Sequence, residues 1–286
     1  MARQTTGRET EPEIEAQRPA SADELWTAVR VDPVEIALPK GVGYTLRAYR
    51  PVDEVRPTDV SEREDDVFPE RRPDPVLVDE DETEFDDEDA GFDDDDQTFD
   101  DGSDADEEES EDDGSDDEDE ETDEPEEVPV FLGRAGKVYL FHSAEGLVEF
   151  VRSDAEHDLT QLDTWPELVK RISAKDVVPL PEDTYELDLV VKNLRASHDV
   201  WDAGLIIQAG EIARDLGYAL RLESIIDALS TGSPLDELDE AVRTIESGGI
   251  SGFLARRRLK KIGTEAPPLG WRQIIGNISA AVDWRD

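Results

Sequence analysis

Apolar residues in the N-terminal part of this chain follow the alternation that is typical of β-strands. Residues 34–38 form one such run, and residues 44–49 form another. In the second run the side chains separate into two faces, one with Tyr44, Leu46 and Ala48 and the other with Thr45, Arg47 and Tyr49. Gly41 and Gly43 lie between the runs and allow a tight turn. The pattern predicts a β-hairpin.

A second pair of strand-like runs follows at residues 130–132 and 137–141, separated by Arg134, Ala135 and Gly136. This spacing predicts another hairpin. Because a two-stranded ribbon cannot bury a face by itself, the two hairpins are expected to form one antiparallel sheet, with helices on a single face.

From Ser143 onward the apolar residues recur every three or four positions, which predicts about seven helices. Ser233 and Pro234 form a strong helix start. The fold class is therefore predicted as α+β, a small antiparallel sheet of two hairpins followed by a helical region. Before the sheet, Ser21 and Glu24 form a capping-box pattern that fits either a short helix or a transient helix on a disordered arm.

The segment Asp79–Glu127 interrupts the sheet pattern with 33 acidic residues among 49 and no Lys or Arg. It has too little apolar surface to fold, and its like charges extend the chain. The predicted organisation is a disordered arm (1–30), the first hairpin (31–51), a disordered acidic insertion (52–127), the rest of the sheet with the first helices (128–180) and a helical region (181–286). The sequence thus predicts a long loop inserted within a sheet.

Charge restricts the partners that this chain can bind. The net charge is −47, and outside Asp79–Glu127 there remain 43 acidic against 29 basic residues. Such a polyanion repels nucleic acids and anionic membranes and attracts basic proteins, so direct nucleic-acid binding is disfavoured. The sequence has no cysteine, no signal-peptide pattern and no apolar run long enough for a membrane span. A cytoplasmic protein without membrane association is expected.

Catalytic chemistry has little support in the sequence. The three histidines, His142, His157 and His198, lack neighbours that would form a recognisable catalytic motif. The segment 133–137 has the glycines and lysine of a phosphate loop, but it is too short and no Ser or Thr follows. No catalytic, metal-binding or cofactor-binding residue is predicted, and the protein is not expected to be an enzyme.

Two features indicate partner binding. Within the acidic segment, Phe85, Phe92 and Phe99 each precede two aspartates at a spacing of seven residues. This pattern fits either a segment that docks on basic, partly apolar surfaces or repeat slippage in a low-complexity sequence without a function. Basic residues concentrate at Arg256, Arg257 and Arg258. This basic run fits a nucleic-acid patch, a docking site for the acidic loop or a solvated helix end, and the charge of the chain favours the last two.

Several segments resemble a known family. The residues concerned are Gly43–Leu46, Phe131–Gly133, the run 146–154, Asp158 with Leu159, and Trp165. In this order they are similar to actinobacterial proteins of the SatS type, cytosolic secretion chaperones whose relatives are often labelled "primosomal protein". The similarity covers residues 36–50 and 129–284, and in the family a short connection replaces the acidic loop. It implies a non-enzymatic protein that shields export-bound clients with hydrophobic grooves, and no family site carries over to individual residues.

Two functional hypotheses follow. In the first, the chain is a cytoplasmic binding protein, a chaperone for exported or basic client proteins with an apolar groove and a polyanionic loop. In the alternative, it is a primosome-type or nucleoid accessory protein whose acidic loop mimics DNA and binds a basic partner. The oligomeric state is not determined by the sequence.

Overall fold

Strand β2 (Gly41–Pro51) is the centre of a seven-stranded sheet. The computed structural model describes residues 18–61, 63, 126–247, 259 and 266–286. All of them belong to a unit formed by residues 1–63 and 125–286; a second unit, residues 64–124, lies outside this description. The other strands are β1 (Asp32–Leu38), β3 (Glu127–Phe131), β4 (Gly133–Arg134), β5 (Lys137–Phe141), β6 (Thr184–Glu186) and β7 (Val282–Arg285).

Eight α-helices have their bounds within these described ranges. They are α1 (Ala20–Val29), α2 (Ala144–Val151), α3 (Trp165–Arg171), α4 (Leu187–Leu194), α5 (Ala203–Ala219), α6 (Glu223–Ala228), α7 (Pro234–Ser247) and α8 (Ala266–Ala280). The α+β class is confirmed, and so is the position of the insertion within the sheet, between β2 and β3.

The sheet is mixed, which differs from the antiparallel sheet of two hairpins that the pattern predicts. β2 pairs antiparallel with β1, β3 and β5, whereas β6 joins β1 and β7 joins β5 in parallel. The second predicted hairpin survives only as β4 with β5, because β3 pairs with β2 instead. β6 and β7 have three and four residues, too few for a period-two pattern to distinguish them from the helical sequence around them.

Helices cover both faces of the sheet, and the expectation of a single helical layer is wrong. One core joins the inner sides of β1 and β5, through Val34, Ile36, Val138 and Leu140, to α4–α8. The second core joins the opposite side of the sheet to α1–α3. In β5 the four residues from Val138 to Phe141 are all buried, and such an uninterrupted apolar run is typical of a strand covered on both faces.

Helix α1 belongs to the second core, so the predicted disordered arm does not extend through residue 30. Ala22, Leu25, Trp26 and Val29 are buried, and the Trp26 indole donates a hydrogen bond of 2.8 Å to the carbonyl of Asp176. Of the two interpretations of this segment, the short helix is therefore the one observed. The predicted capping box of Ser21 and Glu24 is not formed, because the helix begins one residue earlier, at Ala20, after Pro19 and without a side-chain cap. Its anchoring depends on a partner 150 residues away.

The two ends of the acidic insertion lie next to each other, at the paired ends of β2 and β3. The Val52 N–H donates to the carbonyl of Glu126 at 2.9 Å, which continues the β2–β3 ladder past its last strand residues. Because the entropy of closing a loop grows only with the logarithm of its length, a long insertion at this point costs the fold little.

A tight turn joins β4 to β5 at the glycine-rich segment 133–137. Ala135 and Gly136 have φ angles of 53° and 68°, and this pair of positive values is typical of a two-residue hairpin loop. The segment is thus a hairpin turn, as the sequence predicts.

Candidate functional site

A cleft of about 350 Å³ lies beside β3, and we call it the β3 cleft. It is lined by consecutive residues of β3, 128–131, and by residues 55–58 of the chain that follows β2. Since side chains of a strand alternate between its two faces, four consecutive lining residues mean that the cleft runs along the edge of β3. The remaining lining residues are Val52, Asp158, Tyr218, Ala219, Leu220, Arg221, Glu223 and Ile226.

The β3 cleft exposes large apolar side chains to solvent. Val52, Tyr218 and Ile226 retain 47%, 48% and 40% of their accessible surface, while Phe131 and Leu220 are buried beneath them. A concave surface of this size with apolar walls and a few polar groups is typical of a binding site.

One wall of the β3 cleft is an irregular segment, residues 52–61, which we call the strap. The Gln161 side chain forms hydrogen bonds with both backbone groups of Arg56. Its Oε1 accepts from the Arg56 N–H at 2.7 Å, and its Nε2 donates to the Arg56 carbonyl at 3.3 Å. Thr58 is buried, and its hydroxyl accepts from the Gly136 N–H at 3.1 Å. These bonds hold the strap beside the sheet without making it a strand.

Arg63 fixes the far end of this segment to helix α5. Its guanidinium donates to the carbonyls of Leu220 and Arg221, at 2.5 and 2.9 Å, and to the carbonyl of Gly136 at 2.8 Å. The last carbonyls of a helix lack partners within the helix and attract cations. Arg63 therefore links the start of the insertion to the helix end that lines the β3 cleft.

Both signs of charge occur at the β3 cleft. Arg56 and Arg221 contribute two cations to the lining, and Asp158 and Glu223 contribute two carboxylates. Burial raises the pKa of Asp158, although a hydrogen bond with Thr58 and the charge of Arg134 oppose that shift. The charges of the cleft lining thus balance, and the lining is close to neutral.

A second group of polar residues is buried on the other side of β2, around Arg47. The Arg47 guanidinium binds Asp183 at 2.6 Å, Asp215 at 3.0 Å and the Tyr185 hydroxyl at 2.9 Å. The Tyr49 hydroxyl also donates to Asp215, at 2.5 Å. We call these five residues the Arg47 network; it connects β2, the residues around β6 and helix α5.

Burial governs the titration of the Arg47 network. It raises the pKa of Asp183 to about 6 against the opposing charge of Arg47. Burial alone would lower the pKa of Arg47, but Tyr185, Tyr49 and Asp215 raise it. With its arginine charged and both aspartates bonded to it, the network has no free nucleophile or base. It crosslinks the sheet and α5.

Burial also affects His157, which lies next to Phe150 and Trp165. It lowers the pKa of the imidazole to about 4, while the unfolded chain keeps the ordinary value of 6.5. Between pH 6.5 and pH 4, the His157 imidazole is therefore protonated in the unfolded state but neutral in the folded state. The stability that depends on the neutral imidazole is fully present above pH 6.5 and is lost as the pH falls towards 4.

We therefore expect acid to destabilise the natural protein more than the variant His157→Gln. Going from pH 7.5 to pH 5, the natural protein should lose about 2 kcal/mol more of its free energy of unfolding. Urea unfolding at both pH values measures the difference. Asp183 contributes an opposite slope, since its raised pKa favours the folded state at low pH, but it is present in both proteins and cancels. Equal losses would show that the imidazole is not held neutral.

The partner residues expected from the sequence stay a prediction. Phe85, Phe92 and Phe99 lie outside the described residues, as do Arg256, Arg257 and Arg258. The β3 cleft was missed because its walls are apolar residues of ordinary strand and helix patterns. Pro51, the last residue of β2, and Pro57, within the strap, are the sequence features that indicate an unpaired segment there.

The described ranges hold no group of three or more His, Asp or Glu side chains that could bind a metal ion. No helix within the same ranges is long and apolar enough to cross a membrane.

Comparison with known proteins identifies one family. The model of the SatS C-terminal domain matches residues 124–278. A solved structure, described as the crystal structure of the SatS C-terminal domain in complex with bromine, is 18% identical and superposes with a TM-score of 0.53. The match covers 91% of this chain and 96% of that one, and at this identity it indicates a shared fold. No curated protein matches the chain.

Proposed function

Because the chain belongs to the SatS C-terminal domain family, whose model matches more than half of it, we propose that it is a chaperone for proteins destined for export. The family suggests a secretion-related role and is not a known enzyme family. We further propose that the protein acts in the cytoplasm without catalysing a reaction, by holding apolar segments of unfolded clients.

The observation that supports this proposal is the β3 cleft. A chaperone must offer apolar surface to a client while remaining soluble itself. The cleft exposes Val52, Tyr218 and Ile226 in a concave site of about 350 Å³, large enough to shelter a few apolar side chains.

The acidic insertion supports the same proposal by its charge. Its carboxylates repel one another and other copies of the chain, which favours the solubility of a complex with an unfolded client. They also attract basic segments at low ionic strength. Clients that combine apolar and basic segments are therefore the ones we expect the protein to hold.

Aggregation suppression tests the proposal. Reduced, unfolded lysozyme serves as a basic secreted client, and light scattering follows its aggregation with increasing amounts of the chain. The double variant Val52→Ser with Ile226→Ser should require about fivefold more protein for half suppression, because losing apolar contact area at two positions costs about 1 kcal/mol.

The matched control is Val200→Ser with Leu269→Ser, two side chains that are each 66% exposed and do not line the β3 cleft. The control should suppress aggregation as well as the natural protein does. Failure of the natural protein to suppress aggregation at any ratio would refute the chaperone proposal, and equal effects of both double variants would refute the cleft as its site.

A further inference from the structure

We propose that the β3 cleft binds a client segment as an added β-strand on the open edge of β3, and that the preferred segment is apolar with Lys or Arg beside it. This inference rests on the proposed function and specifies its ligand. Recognition would then depend mainly on the client's backbone, which suits a protein that must accept many sequences.

The pairing of β3 with β2 leaves the other edge of β3 without a strand partner among the described residues. Leu132 N–H donates to the Leu46 carbonyl, and Val52 N–H donates to the Glu126 carbonyl. Together with the register of the pair, these two bonds direct the backbone groups of Val128 and Val130 towards β2. The backbone groups of the residues between them, Pro129 and Phe131, therefore point away from β2.

This outer edge borders the β3 cleft. Both Pro129 and Phe131 line it, and β3 pairs with no strand other than β2 among the described residues. Phe131 offers an N–H and a carbonyl on this side, whereas Pro129 offers only its carbonyl. These backbone groups have no strand partner, but Phe131 is only 2% exposed, so an incoming strand would reach them by displacing the strap from this edge.

The strap lies opposite this edge but does not pair with it. The backbone of Arg56 is bonded to Gln161 instead, and Pro57 follows without a backbone donor. Throughout the described part of the strap, no backbone hydrogen bond reaches β3. Both walls of the cleft thus contain a proline, which lacks a backbone donor, and the strap packs beside β3 without pairing with its edge.

The chemistry around the edge selects the ligand. Val52, Tyr218 and Ile226 provide exposed apolar surface for the side chains of an added strand. The chain enters β3 directly from the acidic segment, and the exposed carboxylate of Glu126 precedes the strand, whereas the carboxylate of Glu127 is already paired with Arg30. Since the lining itself is close to neutral, this negative charge favours a segment with basic residues at its ends.

An N-methyl scan tests the binding mode. The probe is a fluorescent peptide of alternating valine and serine with a lysine at each end, and fluorescence anisotropy with the full chain measures its affinity. In an added strand only every second backbone amide faces β3. We therefore expect methylation to weaken binding about fivefold or more at alternate positions and to have little effect at the positions between them.

Amide hydrogen exchange locates the edge. With the peptide bound, the Phe131 N–H should exchange at least tenfold more slowly, while the Val130 N–H, which already faces β2, serves as the internal control. Peptide binding without the alternation or without protection of Phe131 would overturn the edge-strand proposal and leave the chaperone proposal intact. Failure of the peptide to bind a chain that still suppresses lysozyme aggregation would also overturn it. If the chain neither bound the peptide nor suppressed lysozyme aggregation, the proposed function itself would be refuted.

Discussion

Replacing Arg47 with alanine is expected to lower the free energy of unfolding by about 3–5 kcal/mol, as removal of one partner from a buried ion pair does. Its guanidinium is the common partner of Asp183 and Asp215, and the side chains of Arg47 and Asp183 are both more than nine-tenths buried. Without the arginine, two carboxylates remain in the interior with no compensating charge. Urea unfolding followed by circular dichroism measures the loss.

A matched control is available in Arg243→Ala. Arg243 also binds two carboxylates, Asp239 and Glu211, but its side chain is 43% exposed. Water screens such pairs, so this variant should lose about 1 kcal/mol or less. Adding Asp183→Asn and Asp215→Asn to Arg47→Ala should restore part of the stability, because the unpaired charges are gone. If Arg47→Ala cost no more than Arg243→Ala, the Arg47 network would not be a buried crosslink.

Replacing residues 66–123 with a six-residue Gly-Ser linker is expected to preserve the fold and to abolish most binding of basic clients. The insertion joins neighbouring positions of β2 and β3, so replacing 58 of its 76 residues by six, which leaves 24, should stabilise the protein by roughly 1 kcal/mol through loop closure. At low salt the affinity for unfolded lysozyme should fall at least tenfold and lose most of its dependence on ionic strength.

A second variant, in which the insertion keeps its length but loses its charge, distinguishes the effect of charge from the effect of length. In it, the Asp and Glu residues of positions 66–123 become Asn and Gln. It should behave like the shortened variant in client binding, without the gain in stability. If either variant bound basic clients as strongly as the natural protein, the insertion would not take part in client binding. Loss of a DNA-binding partner from cell extracts, with client binding unchanged, would favour the alternative in which the insertion mimics DNA.

The Arg47 network shows which structural features a local sequence pattern predicts and which it does not. Alternation along β2 correctly places Arg47 and Tyr49 on the face opposite Leu46, and alone it would favour exposure for that face. The structure buries Arg47 and half-buries Tyr49, because Asp183 and Asp215, 136 and 168 positions away from Arg47, supply carboxylates on that side. No property of β2 alone indicates that these partners exist.

The β3 cleft is determined still less by the sequence. The run before Gly133 predicts a strand, but the prediction pairs it with β5, its neighbour along the chain. In the fold β3 pairs instead with β2, across the acidic insertion, and this choice leaves one edge of β3 facing the strap. An open edge is a consequence of pairing, and pairing depends on contacts between segments that are distant in the chain.

By itself, the sequence determined the α+β class, the place of the insertion within the sheet and the strongly acidic character of the chain. These properties follow from the periodicity of apolar residues and from composition, which indicate whether a residue faces the protein interior or solvent. Only the tertiary structure decided that helices cover both faces of the sheet, that Arg47 is buried among carboxylates and that β3 has an unpaired edge beside an apolar cleft. The physical reason is that burial, ion pairing and strand pairing are relations between segments, and a local pattern records only one side of each relation.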